Sequence, residues 1–230
     1  IKSTITWHSY GIINKYDHNF EESSKCLRQA LKFDPENTQI LMELGSLQVH
    51  IRDYQNAAET RHKLLKLRSG QRQIWIAYII ALELSKQTSS ASAILKAFVE
   101  SIEEKEDQTS GTCANSYSGI LLFQIQLYIL ESNYKEALKI IETRESSILD
   151  KFKLFELKLT IYMNSKNVKS ALKVCIHLIK LNPDNQKYYR YLGEILPTNS
   201  SQISLKIALY FHNMFPRAIY PAIYLLEHCE

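Results

Sequence analysis

The stretch from Trp7 to Asn37, WHSYGIINKYDHNFEESSKCLRQALKFDPEN, decides the fold of this chain. Its pattern predicts a pair of antiparallel helices, Thr4–Asn14 and Phe20–Phe33. The aromatic Trp7 opens the first helix, and small residues let the two helices approach closely. Asp34-Pro35 ends the second helix, because proline cannot continue the hydrogen-bond ladder.

This layout recurs along the chain with a constant period. Trp7, Leu41 and Trp75 lie 41 − 7 = 34 and 75 − 41 = 34 residues apart. Small residues keep the same step in both helices of the pair, namely Gly11 and Gly45 in the first helix and Ser23, Ala57 and Ala91 in the second. A period of 34 residues is that of the tetratricopeptide repeat, whose units bury their apolar stripes only against neighbouring units. The sequence therefore predicts an all-α fold, a right-handed superhelical solenoid of tetratricopeptide-like helix pairs (an α-α superhelix).

The period predicts a single tetratricopeptide-repeat array over residues 1–230. The second pair is predicted at Thr38–His50 and Tyr54–Leu67, with Asp53 as an N-cap whose carboxylate accepts from the first unpaired amides. The units are expected at about 4–37, 38–71, 72–102, 114–147, 148–185 and 186–216, followed by a truncated helix at 217–230. Because the chain lacks an initial methionine and stops inside an apolar periodic segment, we expect it to be a fragment of a longer protein.

An acidic stretch, Glu103 to Gly111, interrupts the period between the third and fourth units. Four carboxylates followed by polar residues and glycine cannot bury themselves, so a solvated loop or a frayed helix end is expected there. The helical pattern resumes directly after it. We interpret the stretch as an insertion between repeats rather than a domain boundary.

Composition and motifs exclude several classes of protein. No apolar run approaches the ~20 residues of a membrane span, and no membrane partner is expected. The four cysteines lie far apart without a Cys-x-x-Cys pair, which favours a reducing compartment and a cytoplasmic location. There is no glycine-rich phosphate loop, and the seven histidines are scattered. The sequence thus predicts no catalytic, cofactor-binding or metal-binding residues, no cofactor, and no small-molecule substrate.

Five cations cluster without an intervening acid, and they are Arg61, Lys63, Lys66, Arg68 and Arg72. Steps of 4, 3 and 4 would place Arg61, Leu65, Arg68 and Arg72 on roughly one helical face, although Ser69-Gly70 is expected to interrupt the helix. One interpretation is an anion site for RNA phosphates or for an acidic partner segment. The other, which we favour, is a solvated helix face whose cations complement the helix dipole.

A run of large residues, Tyr188-Tyr189-Arg190-Tyr191, is the second candidate contact. Four consecutive large side chains cannot all face one core, so at least one of these tyrosines should be exposed. An exposed aromatic on a solenoid is a modest indication of a protein contact. Tyr188 and Arg190 are therefore candidate partner contacts.

Specific strings go beyond the generic repeat. They include Trp7-His8-Ser9-Tyr10-Gly11, Ile51-Arg52-Asp53-Tyr54, Leu64-Leu65-Lys66-Leu67-Arg68, Trp75-Ile76, Asn182-Pro183-Asp184-Asn185 and Phe215-Pro216-Arg217. In order and spacing over nearly the whole chain, they resemble the large auxiliary (tetratricopeptide) subunit of the N-terminal acetyltransferase A complex. The similarity is densest from Trp7 to Tyr78.

This resemblance implies a non-catalytic scaffold. Subunits of that family wrap around a separate catalytic acetyltransferase subunit and anchor the complex at the ribosome, so the implied partners are the catalytic subunit and the ribosome, with a possible rRNA contact. Ser69-Gly70 departs from the Pro-Ala that often follows the Leu-x-Leu-Arg string, so a looser helix end is expected there. The alternative function is an RNA- or ribosome-associated tetratricopeptide adaptor unrelated to acetylation.

Overall fold

The computed structural model describes residues 3–106, 114–196 and 201–228, and the side chains of all these residues except 103–106, 114–116, 201, 202 and 228. Throughout the described residues the secondary structure is helical, with short connections. The chain separates into two compact units, residues 1–110 and 111–230. The boundary falls inside the acidic stretch from Glu103 to Gly111, which is predicted to be an insertion and whose residues 107–111 lie outside the described part. Membership of both units in a single array stays a prediction.

The first unit consists of three helix pairs. They are α1 (Thr4–Tyr16) with α2 (Phe20–Phe33), α3 (Thr38–His50) with α4 (Tyr54–Leu67), and α5 (Arg72–Leu84) with α6 (Thr88–Glu106). The predicted bounds of α2, α3 and α4 are confirmed. The first helix continues to Tyr16, two residues beyond its predicted end.

The second unit contains three further pairs and a last helix. These are α7 (Ala114–Leu130) with α8 (Tyr134–Arg144), α9 (Lys151–Asn164) with α10 (Val168–Leu181), α11 (Gln186–Ile195) with α12 (Ser201–Met214), and α13 (Tyr220–His228). A 3-10 turn, Glu145–Ser147, follows α8. Its largest described core is built around Tyr189, Phe211 and Leu178, which are fully buried. The all-α fold class predicted from the period is confirmed.

Close packing of the first pair depends on small residues, as predicted. Gly11 of α1 lies against Leu27 of α2, and a Cβ atom added at Gly11 would come within 2.9 Å of Leu27 Cδ2. Ser23 Oγ donates a hydrogen bond of 2.7 Å to the Gly11 carbonyl oxygen. Ala57 and Ala91, which occupy the equivalent crossing positions in the next two pairs, are fully buried.

The turns between paired helices share one backbone geometry. A residue with φ near +60° occupies the same turn position in five pairs, and these residues are His18, Arg52, Lys86, Ser132 and Lys166. In the first turn the amide of His18 donates to the Lys15 oxygen and the amide of Asn19 donates to the Asn14 oxygen. This is the Schellman pattern that closes a helix C-terminus. Asn19 is also the N-cap of α2, so one residue ends the first helix and begins the second.

The prediction for Asp53 as a side-chain cap is wrong. Asp53 stands at the N-cap position of α4 but accepts no hydrogen bond from the helix amides. Its carboxylate instead accepts from Asn56 Nδ2 at 2.8 and 2.9 Å and from Arg28 Nη2 at 3.2 Å. These two donors draw the carboxylate away from the helix end, and the contact with Arg28 ties α4 to the preceding pair.

Candidate functional site

The predicted basic cluster does not form one helical face. Helix α4 ends at Leu67, so Arg68 is its C-cap and Arg72 is the first residue of the next helix. Leu64 and Leu65 are buried, which turns the face shared by Arg61 and Leu65 toward the interior. The expected interruption at Ser69-Gly70 is therefore confirmed, and the alignment of the four residues, which required an unbroken helix, does not form.

Arg61 connects three helices. It is half-buried, and its Nη1 donates a 2.6 Å hydrogen bond to the Ala77 carbonyl oxygen of α5. Its Cγ lies 3.3 Å from the place where a Cβ atom would stand at Gly45 of α3. Burial lowers the pKa of the Arg61 guanidinium. The structure uses this cation for packing between helix pairs.

The outward-facing part of the cluster consists of Lys63, Lys66 and Arg68, all exposed. Lys66 lies in the last turn of α4 and Arg68 caps it, so both complement the negative end of the helix dipole. Glu59, which is also exposed, stands one turn before Lys63. The cations that remain available to an anion are thus Lys63, Lys66 and Arg68, near the C-terminal end of α4. Arg72 is half-buried. Whether this surface meets an anion stays a prediction.

The expectation of an exposed tyrosine in α11 is wrong. Tyr188 is 2% exposed and Tyr189 is 0% exposed, while Tyr191 is half-buried. Both buried rings belong to the core that α11 forms with α9, α10 and α13, because this helix is packed on more than one side. Arg190 is the one exposed residue of the four.

Tyr188 is held in place by polar contacts. Its hydroxyl donates to Glu156 Oε1 at 3.3 Å, and its carbonyl oxygen accepts from Cys175 Sγ at 3.3 Å. Burial, together with the neighbouring Glu156 carboxylate, raises the pKa of the Tyr188 phenol. These contacts assign Tyr188 to packing, so Arg190 alone of the two candidates stays available to a partner.

A groove between the first helices of the first two pairs was not predicted from the sequence. It has a volume of about 580 Å³. The lining residues from α1, the following turn and α2 are Ile12, Lys15, Tyr16, His18 and Phe20, and those from α3 are Glu43, Ser46, Leu47 and His50. We refer to these residues as the first groove. Tyr16 is 80% exposed within it, which marks an apolar side chain that the unit itself does not bury.

The second unit has a groove at the equivalent place, between α9 and α11. Its volume is about 300 Å³, and its lining residues are Tyr162, Met163, Lys166, Val168, Ala171, Glu194 and Ile195. Lys166 occupies the left-handed turn position that His18 occupies in the first groove. The recurrence shows that such a groove is a product of the helix-pair geometry. What differs between the two grooves is their size and their charges.

Sites for other chemistry are not found in the described part of the chain. No group of three or more metal-ligating side chains occurs among these residues. Cys26 and Cys175 are buried free thiols, and burial raises the pKa of the Cys175 thiol to about 12. A thiol with so high a pKa is a poor nucleophile. None of the helices in the described ranges combines the length and the apolar character that crossing a membrane requires.

Relatives of the chain agree with the strings quoted from the sequence. The family described as N-terminal acetyltransferase A, auxiliary subunit, matches residues 115–224. A mouse (Mus musculus) protein, N-alpha-acetyltransferase 16, NatA auxiliary subunit, is 35% identical over 221 residues, covering 96% of this chain and 25% of its own length. The chain is related to the auxiliary subunits of N-terminal acetyltransferase A. The resemblance inferred from the sequence is confirmed.

Two further relatives of this auxiliary-subunit family extend the comparison. The Arabidopsis thaliana N-terminal acetyltransferase A complex auxiliary subunit NAA15 is 30% identical over 196 residues, covering 85% of this chain and 22% of its own length. A chain in the structure of Naa15/Naa10 bound to HypK-THB matches with a TM-score of 0.81 at 28% identity, over 96% of this chain and 33% of that chain. The present chain spans about a quarter of the length of its curated relatives.

Proposed function

We propose that this chain is part of a non-catalytic auxiliary subunit of the N-terminal acetyltransferase A complex, which holds a separate catalytic subunit and acts in the cytoplasm. The observation that carries the proposal is the similarity to auxiliary subunits over 96% of the chain. The structure supports this role through its form, because the described residues build repeated helix pairs, and such repeats offer extended surfaces for holding other chains.

An acetyl-transfer assay tests the non-catalytic role. The 230-residue chain, mixed with acetyl-coenzyme A and a peptide that begins with serine, should give no product above the uncatalysed background. Material affinity-purified through the intact protein from its own cells should acetylate the same peptide, because a catalytic subunit accompanies it. Acetyl transfer by the isolated chain would overturn the proposal, and so would purified material that contains no acetyltransferase.

We also propose that the complex is anchored at the ribosome through cations of this chain. Lys63, Lys66 and Arg68 support this part of the proposal, because they are exposed and stand together at the end of α4. Arg61 is excluded from the surface, since its guanidinium is bonded to Ala77. Contacts of this kind with rRNA phosphates are weakened by salt through counterion release.

Ribosome cosedimentation at several salt concentrations tests the anchor. The double variant Lys63→Glu, Lys66→Glu should bind more weakly and reduce the slope of log affinity against log salt by about two, one for each lost phosphate contact. A matched control is Lys169→Glu, Lys173→Glu, which reverses two exposed lysines of α10. Equal cosedimentation of wild type and both variants would contradict the anchor and leave the scaffold role intact.

The alternative, an RNA-associated adaptor unrelated to acetylation, is favoured by the same three cations. It predicts binding to naked RNA that is as tight as binding to ribosomes and equally dependent on salt. It also predicts that no acetyltransferase copurifies with the intact protein. These two results together would replace the scaffold proposal with the adaptor.

A further inference from the structure

The first groove combines apolar walls with open space. Ile12, Phe20 and Leu47 line it from three successive helices, and Tyr16 stands beside them with most of its ring in solvent. Its volume of about 580 Å³ lies within the range of ligand pockets, about 300–1,000 Å³. Exposed apolar surface in a concavity of this volume is typical of a binding site.

The polar groups of the first groove are unequally engaged. Glu43 Oε2 lies 2.8 Å from His8 Nε2, and Glu43 Oε1 accepts from Gln39 Nε2 at 3.4 Å. The only carboxylate that lines the groove is therefore already paired within the described structure. Lys15, His18 and His50 line the same groove and are exposed. The groove thus offers cationic and hydrogen-donating groups beside apolar walls.

We propose that the first groove binds an internal segment of a partner protein in which apolar side chains alternate with carboxylates. The apolar side chains would pack against Ile12, Tyr16 and Phe20, which are exposed or half-buried. A carboxylate would face the Lys15 ammonium and the imidazole of His18 at the helix-pair turn. This binding site is independent of the scaffold role, since neither the catalytic subunit nor the ribosome enters the argument.

Two features favour a peptide over a nucleic acid. The Phe20 ring already contacts the imidazoles of His18 and His50, whose ring centroids lie 5.7 and 4.4 Å away in T-shaped arrangements. Of the Phe and Tyr rings that line the groove, Tyr16 is then the one most open for a base to stack on. Ile12 provides aliphatic surface, which suits an apolar side chain and gives a base no stacking partner.

The second groove explains why the first should be selective. It is about half as large, and its carboxylate, Glu194, is exposed. An acidic segment would meet a like charge there, which is unfavourable in a confined site. We therefore expect one acidic-apolar segment to bind per chain.

Selection from a displayed library of random dodecapeptides, fused at their carboxyl ends, tests the proposal with the 230-residue chain as target. The expected consensus has one or two large apolar residues flanked by aspartate or glutamate. The fusion removes the terminal carboxylate, so only an internal acid can satisfy the cations. A basic consensus, a consensus without acids, or no enrichment over uncoated beads would overturn the proposal.

Variants then locate the site, with the selected consensus peptide as the probe. Tyr16→Ala and Lys15→Glu should each weaken peptide binding by about tenfold or more. Lys15→Arg, which keeps the positive charge, should bind the peptide with an affinity within about threefold of wild type. The matched controls are Tyr10→Ala and Lys32→Glu, which change an exposed tyrosine of α1 and an exposed lysine of α2 outside the groove. Tyr16, Lys15 and both control residues are exposed, so the variants should fold normally by circular dichroism.

Each other outcome decides against the proposal. Equal loss in groove variants and controls would place the peptide elsewhere. Competition by a twelve-residue oligouridylate that depends on Tyr16 and Lys15 as strongly as the peptide does would assign the groove to RNA. A stoichiometry of two peptides per chain would show that the second groove binds as well, and this would contradict the selectivity expected from the charge of Glu194.

Discussion

At the scale of single residues, Gly11 makes the most specific demand on the sequence. Its Cα lies so close to α2 that the methyl group of an alanine would stand 2.9 Å from Leu27 Cδ2 and 3.0 Å from Leu27 Cγ. Leu27 is 1% exposed and has little room to yield. We expect Gly11→Ala to lower the free energy of unfolding by about 1–2 kcal/mol, because overpacking outweighs the better helix propensity of alanine.

Gly193 of α11 supplies the matched control for this prediction. The nearest atom to an added Cβ atom there is the Tyr224 hydroxyl oxygen, at an ordinary contact distance of 3.7 Å. Gly193→Ala should therefore raise the free energy of unfolding by about 0.5–1 kcal/mol through helix propensity alone. Urea denaturation of both variants checks the pair. A Gly11→Ala variant as stable as Gly193→Ala would contradict the close packing of α1 on α2.

Because the Cys175 thiol is buried, we expect the folded protein to lose stability in alkaline solution. Its pKa is raised from 9.0 to about 12 by burial, so the unfolded chain releases this thiol proton first as the pH rises. The contribution of the protonated thiol to the free energy of unfolding is fully present below pH 9 and is lost between about pH 9 and 12. The loss reaches about 1.4 kcal/mol at pH 10. Buried Tyr189, whose phenol pKa is also raised by burial, adds to the loss at higher pH.

The variant Cys175→Ala isolates this contribution. Its free energy of unfolding should fall less steeply than that of wild type between pH 8.5 and 10, when both are measured in urea at constant ionic strength. The small cavity left by the sulfur lowers stability equally at each pH and does not alter the slope. Parallel pH profiles for the two proteins would show that the thiol is not protected from ionisation.

Single residues were also where prediction from the sequence failed. The run from Tyr188 to Tyr191 predicts at least one exposed tyrosine, but α11 is packed on several sides and Arg190 is the one exposed residue of the four. Arg61 was counted as a surface cation, although its guanidinium reaches Ala77 in the next helix pair. Both errors have the same cause. Contacts between neighbouring helix pairs depend on how the pairs pack, and the spacing of residues along one helix does not determine that packing.

At the scale of elements, the turns within the helix pairs have a backbone conformation that their residue types do not indicate. Five turns place a residue other than glycine at φ between 57° and 63°, where L-residues pay a steric cost. The Schellman hydrogen bonds on either side hold the backbone in that conformation. Without glycine as a marker, the sequence does not reveal the turn.

Glycine at such a position should stabilise the protein. We expect Lys86→Gly to raise the free energy of unfolding by about 0.5–1 kcal/mol, because relief of the left-handed strain exceeds the added entropy of the unfolded chain. Lys96→Gly, in the middle of α6, is the matched control and should lower stability by about 1 kcal/mol. Thermal unfolding distinguishes the two. Destabilisation by both variants would mean that the Lys86 turn is not left-handed in solution.

Helix bounds were the most predictable property of the chain. The 34-residue period and the stop signal Asp34-Pro35 predict the bounds of α2, α3 and α4, because start and stop signals are local. The first groove was missed for the opposite reason. Its walls come from α1, α2 and α3, and only the packing of successive pairs brings Tyr16 near Leu47 and His50.

At the scale of the whole molecule, two compact helical units carry unlike surfaces. The first has the larger, cation-lined groove and the exposed lysines at the end of α4, whereas the second has a smaller groove with an exposed glutamate. Similarity to auxiliary subunits extends over both units. Under the proposed scaffold role, substitutions in this chain should alter assembly before they alter any rate of chemistry.

The proposed scaffold role requires that the intact protein forms a complex with an acetyltransferase. Native mass spectrometry of the endogenously tagged protein, purified from its own cells, detects such a complex. We expect a mass that equals one copy of the protein plus one copy of an acetyltransferase subunit, identified by its released peptides. A mass of the tagged protein alone, or of a complex without any acetyltransferase, would contradict it.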